Sequence, residues 1–252
     1  DLYRLTDKGW QHVNSGRPST KSKENSSVLI EHMNGEMAEY MLYLPLYDGV
    51  SDVQIGIDSG ADIAQPIDPS PRADRSVVFY GTSITQGGCA NRPGMCYSSI
   101  LSRDMDFEAF NLGFSGNARC DLYIAEALAR LNPTVYFLDF VPNCTAEIIA
   151  EKAVAFIEIL RKAHPTTPII MLDSYKFPPS QFNLDQRSLL EGKTVEMKKV
   201  AEHFKRDKNF YFYEGASYND GECSVDGAHL TDLGFKAMAD HYQKLLKKHI
   251  RK

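Results

Sequence analysis

Ser83 stands at the end of Val77-Val-Phe-Tyr-Gly-Thr-Ser83, a run of apolar, strand-favouring residues that passes straight into a polar turn closed by Gly87 and Gly88. A buried strand of this kind delivers a hydroxyl to a sheet edge, where a neighbouring base can turn it into a nucleophile. The same position also suits a helix cap, because Ser and Thr accept hydrogen bonds from first-turn N–H groups. A choice between the two needs partners elsewhere in the chain.

Three further stretches offer such partners. Ser224-Val-Asp226-Gly-Ala-His229 places a carboxylate and an imidazole three residues apart in a loop, so that Asp226 can hold one ring nitrogen and turn the other outward as a general base. A plain loop hydrogen bond, with Thr231 capping the following helix, is the competing reading. Asn111-Leu-Gly113-Phe-Ser115-Gly116-Asn117 contains Gly116, whose N–H is open to a ligand unless the glycine merely serves a turn with positive φ. Asp139-Phe-Val-Pro142-Asn143-Cys144 leaves the Asn143 amide after a proline-ended strand, either as a donor to a developing negative oxygen or as an ordinary loop residue. Asp139 itself is expected to bond nearby loop backbone.

The elements that must position these residues are legible as alternation. From Ser76 onward, strand-like runs at Val77 to Tyr80, Phe107 to Leu112, Val135 to Phe140, Ile169 to Leu172 and Phe210 to Tyr213 alternate with helical patterns near Tyr97 to Arg103, Asp121 to Leu131, Ala146 to Lys162, Arg187 to Phe204 and Leu233 to His249. In the third helix Ile149, Ala153, Phe156, Ile157 and Leu160 share one face, with Thr145 placed to cap it. Such alternation predicts an α/β fold with a five-stranded parallel sheet covered on both faces, and ligands in these sheets sit beyond the carboxyl ends of the strands. Every residue singled out above follows a strand at that end.

The first 70 residues have a different rhythm. Val53, Ile55 and Ile57, and Tyr40, Leu42, Leu44 and Leu46, alternate with other residues around Asp48-Gly49, and Val28 to His32 reads as a further strand. A small β-rich unit over residues 1–70 is expected, with the boundary at Pro66, Pro69 and Pro71 and the α/β domain over 71–252.

Together the blocks around Ser83, Gly116, Asn143 and Asp226 with His229 resemble, in order, those of the SGNH hydrolases, the GDSL-type esterase and lipase superfamily, over Val77 to Leu245. The resemblance implies a flavodoxin-like three-layer α/β/α domain in which Ser83 is the nucleophile, His229 the base and Asp226 its partner. The Ser83 and Gly116 N–H groups and the Asn143 side chain would form the oxyanion hole. Two positions depart from the family pattern: Thr82 stands where the family has Asp in G-D-S, and Cys144 where it has Asp after the asparagine. Some relatives, carbohydrate acetylesterases among them, carry an N-terminal β-sandwich, which residues 1–70 could be.

Composition narrows the partners. A net charge of -5 argues against nucleic acid, whose binding needs clustered Lys and Arg, and the one basic cluster, Lys247, Lys248, Arg251 and Lys252, suits a helix C-terminus. No apolar run reaches the roughly 20 residues of a membrane span. The compartment is open, with a secreted or periplasmic location after signal removal expected ahead of the cytoplasm. The oligomeric state is open. The five cysteines are an odd set without a C-x-x-C pair; free thiols are expected, with a Cys89–Cys96 disulfide as the alternative. No metal or other cofactor is called for: there is no H-E-x-x-H, and the Gly81 to Gly88 loop lacks a phosphate-binding lysine.

The expected activity is therefore hydrolysis of short-chain, chiefly acetyl, esters on a polar alcohol such as a sugar, since the loop after Ser83 is polar and no apolar lid is evident. A lysophospholipase or thioesterase, or a non-catalytic carbohydrate-binding protein, are the alternatives.

Overall fold

A computed structural model of the chain describes residues 1–19, 21–66, 70–215 and 221–250. The chain opens with a hairpin, β1 (Leu2–Thr6) and β2 (Gly9–Asn14), and β3 (Tyr40–Leu42) pairs antiparallel with the other edge of β1. The α/β portion follows as β4 (Ser76–Gly81), the single-turn α1 (Ser83–Gln86), α2 (Tyr97–Met105), β5 (Glu108–Gly113), α3 (Leu122–Leu128), β6 (Val135–Asp139), α4 (Ala146–Ala163), β7 (Ile169–Leu172), α5 (Leu184–His203), β8 (Phe210–Tyr213) and α6 (Asp232–Leu246).

The five later strands form one parallel sheet in the order β5-β4-β6-β7-β8. β4 is buried along its whole length, and its side chains divide by the two-residue period. Val78 and Tyr80 enter a core shared with α3, α4 and α5, while Val77 and Phe79 enter the opposite core with α2 and α6. Burial on both faces is why the central strands β4, β6 and β7 read as continuous apolar runs. In α4 the five residues of the predicted face are those that are buried, and Thr145 accepts from the Ile148 N–H as the cap.

After β4 the chain crosses to β5 on one side and then to β6 on the other. This reversal of strand order opens a crevice beyond the carboxyl end of β4, the usual place for a ligand in such sheets.

The N-terminal part departs from expectation in detail. Only Tyr40–Leu42 of the expected Tyr40 to Leu46 strand pairs, no hairpin forms at Asp48-Gly49, and Val28 to His32 and Val53 to Ile57 are irregular. Val53, Ile55 and Ile57 are 45%, 64% and 51% exposed, so their alternation has no apolar surface to meet among the described residues. The sheet is instead centred on β1, whose Tyr3 is buried and takes the Arg103 guanidinium over its ring at 4.2 Å. Arg92 bonds the Tyr3 hydroxyl, and the Asp1 carboxylate accepts from the Gly94 N–H at 2.8 Å. Pro69, one of the three boundary prolines, and Arg251 and Lys252 of the basic cluster lie outside the described residues. All five thiols are free, with Cys96 buried against the Ser98 and Ser99 hydroxyls.

Candidate active site

Ser83 is the first residue of α1, immediately beyond β4, and is 8% exposed. The capping role belongs to its neighbour: the Thr82 hydroxyl accepts from the Ile84 N–H at 3.2 Å. The departure at Thr82 is thus filled by a helix cap, and Ser83 Oγ is left for a different partner. That partner is His229 Nε2, at 2.8 Å.

His229 lies on the loop between β8 and α6, 146 residues away in sequence. Its Nδ1 is 2.7 Å from Asp226 Oδ2, while Asp226 Oδ1 accepts from the His229 and Ala228 N–H groups at 2.8 and 2.9 Å. These bonds, the His229 side chain first and the backbone donors after it, hold the Asp226 carboxyl down to about 2. An ionised carboxylate at Nδ1 leaves Nε2 to accept the serine proton. The loop is closed by Ser224, whose hydroxyl donates to the His229 carbonyl and accepts from the Gly227 N–H, and Thr231 caps α6. Thr231 starts the helix, and the Asp226 carboxylate lies against the imidazole Nδ1.

The two candidate oxyanion donors stand on the turns that follow β5 and β6, the strands on either side of β4. Gly116 has φ +69° in the turn after β5, and a Cβ there would meet nothing within 4 Å, so the residue is required by the backbone and its surroundings are open. Phe114 N–H bonds the Gly81 carbonyl at 2.8 Å, which sets the Gly116 turn beside the Ser83 turn. Asn143 ends a 3-10 turn, Val141–Asn143. Its Oδ1 accepts from the Ala118 N–H at 3.4 Å, which leaves the Nδ2 donor without a protein acceptor among the described residues. Cys144, the other departure, is buried and its thiol donates to the Ala118 carbonyl at 3.5 Å, tying the same two loops.

One residue beside the Asn143 turn escaped the sequence reading, and the partner expected for Asp139 is corrected. Lys193 Nζ on α5 lies 3.4 and 3.3 Å from the carbonyls of Val141 and Pro142, directly before Asn143, and burial lowers its pKa. The available signal was its position four residues before buried Met197, on the apolar side of α5. Asp139, at the end of β6, accepts from the Tyr97 and Tyr242 hydroxyls at 3.3 and 3.5 Å rather than from loop backbone, and burial raises it to about 7.

A parallel α/β sheet carrying a serine at its switch point and an Asp–His pair before the last helix defines the class, an esterase of the SGNH type. The chain belongs to the GDSL-like lipase/acylhydrolase family, whose model matches residues 74–247; a second model, the N-terminus of SGNH-hydrolase-type esterases, matches residues 1–63. Among solved structures the chain is similar to a GDSL-like lipase from Bacteroides ovatus at 35% identity, over 98% of this chain and 73% of that one, with a TM-score of 0.90. Its fold also resembles a salicylyl-acyltransferase of a tetracycline biosynthetic pathway (18% identity, 75% and 57% covered, TM-score 0.64). A family two carbohydrate esterase from Clostridium thermocellum, solved with cellohexaose, is a further likeness (15% identity, 74% and 66% covered, TM-score 0.59). No curated protein sequence matches the chain. No helix among the described residues is long and apolar enough to cross a membrane.

Proposed function

We propose that this esterase hydrolyses short-chain acyl esters, acetyl above all, carried on carbohydrate, with residues 71–252 as the catalytic domain and 1–70 as a β-rich accessory unit. The observation that carries the mechanism is the unbroken line from Asp226 through His229 to Ser83 Oγ. In this reading His229 Nε2 takes the Ser83 proton as Oγ attacks the ester carbonyl carbon. The carbonyl π electrons move onto oxygen, and the resulting anion is held by the Ser83 and Gly116 N–H groups and Asn143 Nδ2. Collapse expels the alcohol, which receives the proton from His229, and leaves an acyl-Ser83 ester. Water, deprotonated by the same imidazole, then releases the acid and restores the serine.

The polar loop after Ser83 and the carbohydrate esterases among the structural neighbours support a sugar as the alcohol. One observation favours a longer acyl group instead: an open surface depression beside the Asp226 loop, lined by Pro178, Pro179, Phe182 and Leu184 together with the polar Asn183 and Ser224. Acetyl and octanoyl p-nitrophenyl esters, with acetylated oligosaccharides alongside, separate the two. Faster turnover of acetyl is expected, and preference for octanoyl would move the assignment to a lysophospholipase- or thioesterase-type activity. Ser83→Ala should lower turnover by about 10⁶-fold, and wild-type rates in that variant would end the mechanism.

A further inference from the structure

The turn that carries Ser83 is contacted by the segment following β3. Leu46 receives the Gln86 side-chain amide on its carbonyl at 3.1 Å, and its Cδ1 occupies the place where a Gly87 Cβ would stand, 2.5 Å away. Tyr47, the next residue, does the same one position on: its hydroxyl lies 2.6 Å from the point a Gly88 Cβ would occupy. His229 Cδ2 lies 3.2 Å from that same point. The two adjacent glycines after Ser83 thus make room for an N-terminal aromatic residue to reach the edge of the imidazole.

We infer that Tyr47 is a specificity-determining residue which contacts the alcohol half of the ester, its ring face and hydroxyl taking a sugar ring. The inference rests on the esterase reading given above. The imidazole edge decides which half. Cδ2 adjoins Nε2, the atom that must hand its proton to the departing oxygen, so a residue near that atom stands on the side of the leaving alcohol. Tyr47 is 53% exposed, so much of a large aromatic side chain remains open beside the Ser83 turn. An aromatic face with an adjacent hydroxyl suits the apolar faces and equatorial hydroxyls of a pyranose, and burial raises the phenol pKa, so that it remains an O–H donor at neutral pH. The segment is held in place from behind, where Tyr43 N–H bonds the Asp1 carbonyl at 2.8 Å and the Tyr43 ring carries Arg103 at 5.3 Å.

The test compares two leaving groups in wild type, Tyr47→Phe and Tyr47→Ala, using p-nitrophenyl acetate and an acetylated oligosaccharide. Tyr47→Ala is expected to raise KM for the oligosaccharide about tenfold and Tyr47→Phe about threefold, with kcat/KM on p-nitrophenyl acetate kept within about twofold. Parallel losses on both substrates would assign Tyr47 to structure alone, and unchanged KM would remove it from the substrate; either result overturns the inference while the esterase reading stands. If wild type cleaves p-nitrophenyl acetate but no acetylated sugar, the carbohydrate reading falls and takes this inference with it. If wild type cleaves neither and a fluorophosphonate fails to label Ser83, the esterase mechanism itself has failed.

Discussion

The proposed nucleophile side and the proposed base side of the site are built from opposite materials. Ser83 stands at the end of a strand buried along its length, behind a capped turn, and is itself almost covered. Asp226 and His229 stand on a loop whose shape is kept by its own short-range bonds, and half of the Asp226 side chain faces solvent. A packed core fixes position by excluding alternatives, whereas a solvated loop fixes it by a few hydrogen bonds, each with a net value of about 1 kcal/mol. Perturbing the base side should therefore cost activity before stability, and perturbing the ground beneath the nucleophile should cost stability first.

The sharpest way to break this contrast is on the loop. His229→Ala is expected to lower kcat on p-nitrophenyl acetate by about 10⁶-fold and Asp226→Asn by about 10⁴-fold, with little change in Tm for either. A Tm collapse in Asp226→Asn would show that the loop's bonds hold more of the fold than its exposure suggests.

Smaller effects are expected at the oxyanion turn. Asn143→Ala should reduce kcat by about 10²- to 10³-fold. Lys193→Met should reduce it about tenfold by releasing the carbonyls before Asn143, with Lys193→Arg recovering most of the loss. A Lys193 variant with lowered Tm and unchanged kcat would make that lysine structural only.

Beneath the nucleophile, the measurement is of stability against pH. Burial raises Asp139 from 3.8 to about 7, so between those values the folded chain holds a proton that the unfolded chain has released. Stability should fall as the pH rises through that window and level off above it. Asp139→Asn should flatten the slope by up to a few kcal/mol, read from urea unfolding at about pH 4 and about pH 8. An unchanged slope would mean that Asp139 does not titrate where its burial implies. Asp226 acts with the opposite sign, its contribution lost as the pH falls toward about 2, and its exposure keeps that contribution small.

Legibility follows the same division. Ile169–Leu172 and Phe210–Tyr213 form strands with the bounds the sequence suggests: the first is buried along its length, and the second, at the sheet edge and partly buried, still announces itself by its aromatic run. The α4 face and its Thr145 cap were equally plain. In the first 70 residues the signal misled. Val53, Ile55 and Ile57 alternate as a strand would yet stay in solvent, while the hairpin of β1 and β2 was passed over although the two-residue turn Asp7-Lys8, followed by Gly9 at the start of β2, joins its strands. A two-residue period states which face is apolar but not whether anything covers it.

What the sequence alone determined is the alternation of strand and helix, the sheet edge at which the polar residues gather, and the chemical types present there, since these depend on local period and on residue chemistry. Tertiary structure decided that the imidazole from the last loop comes within 2.8 Å of Ser83, that Thr82 rather than Ser83 caps the first turn, and that Tyr47 and Lys193 reach the site at all. Apart from the local Thr82 cap, those are meetings between residues tens to more than a hundred positions apart, and only the packing of the sheet and its helices fixes such distances.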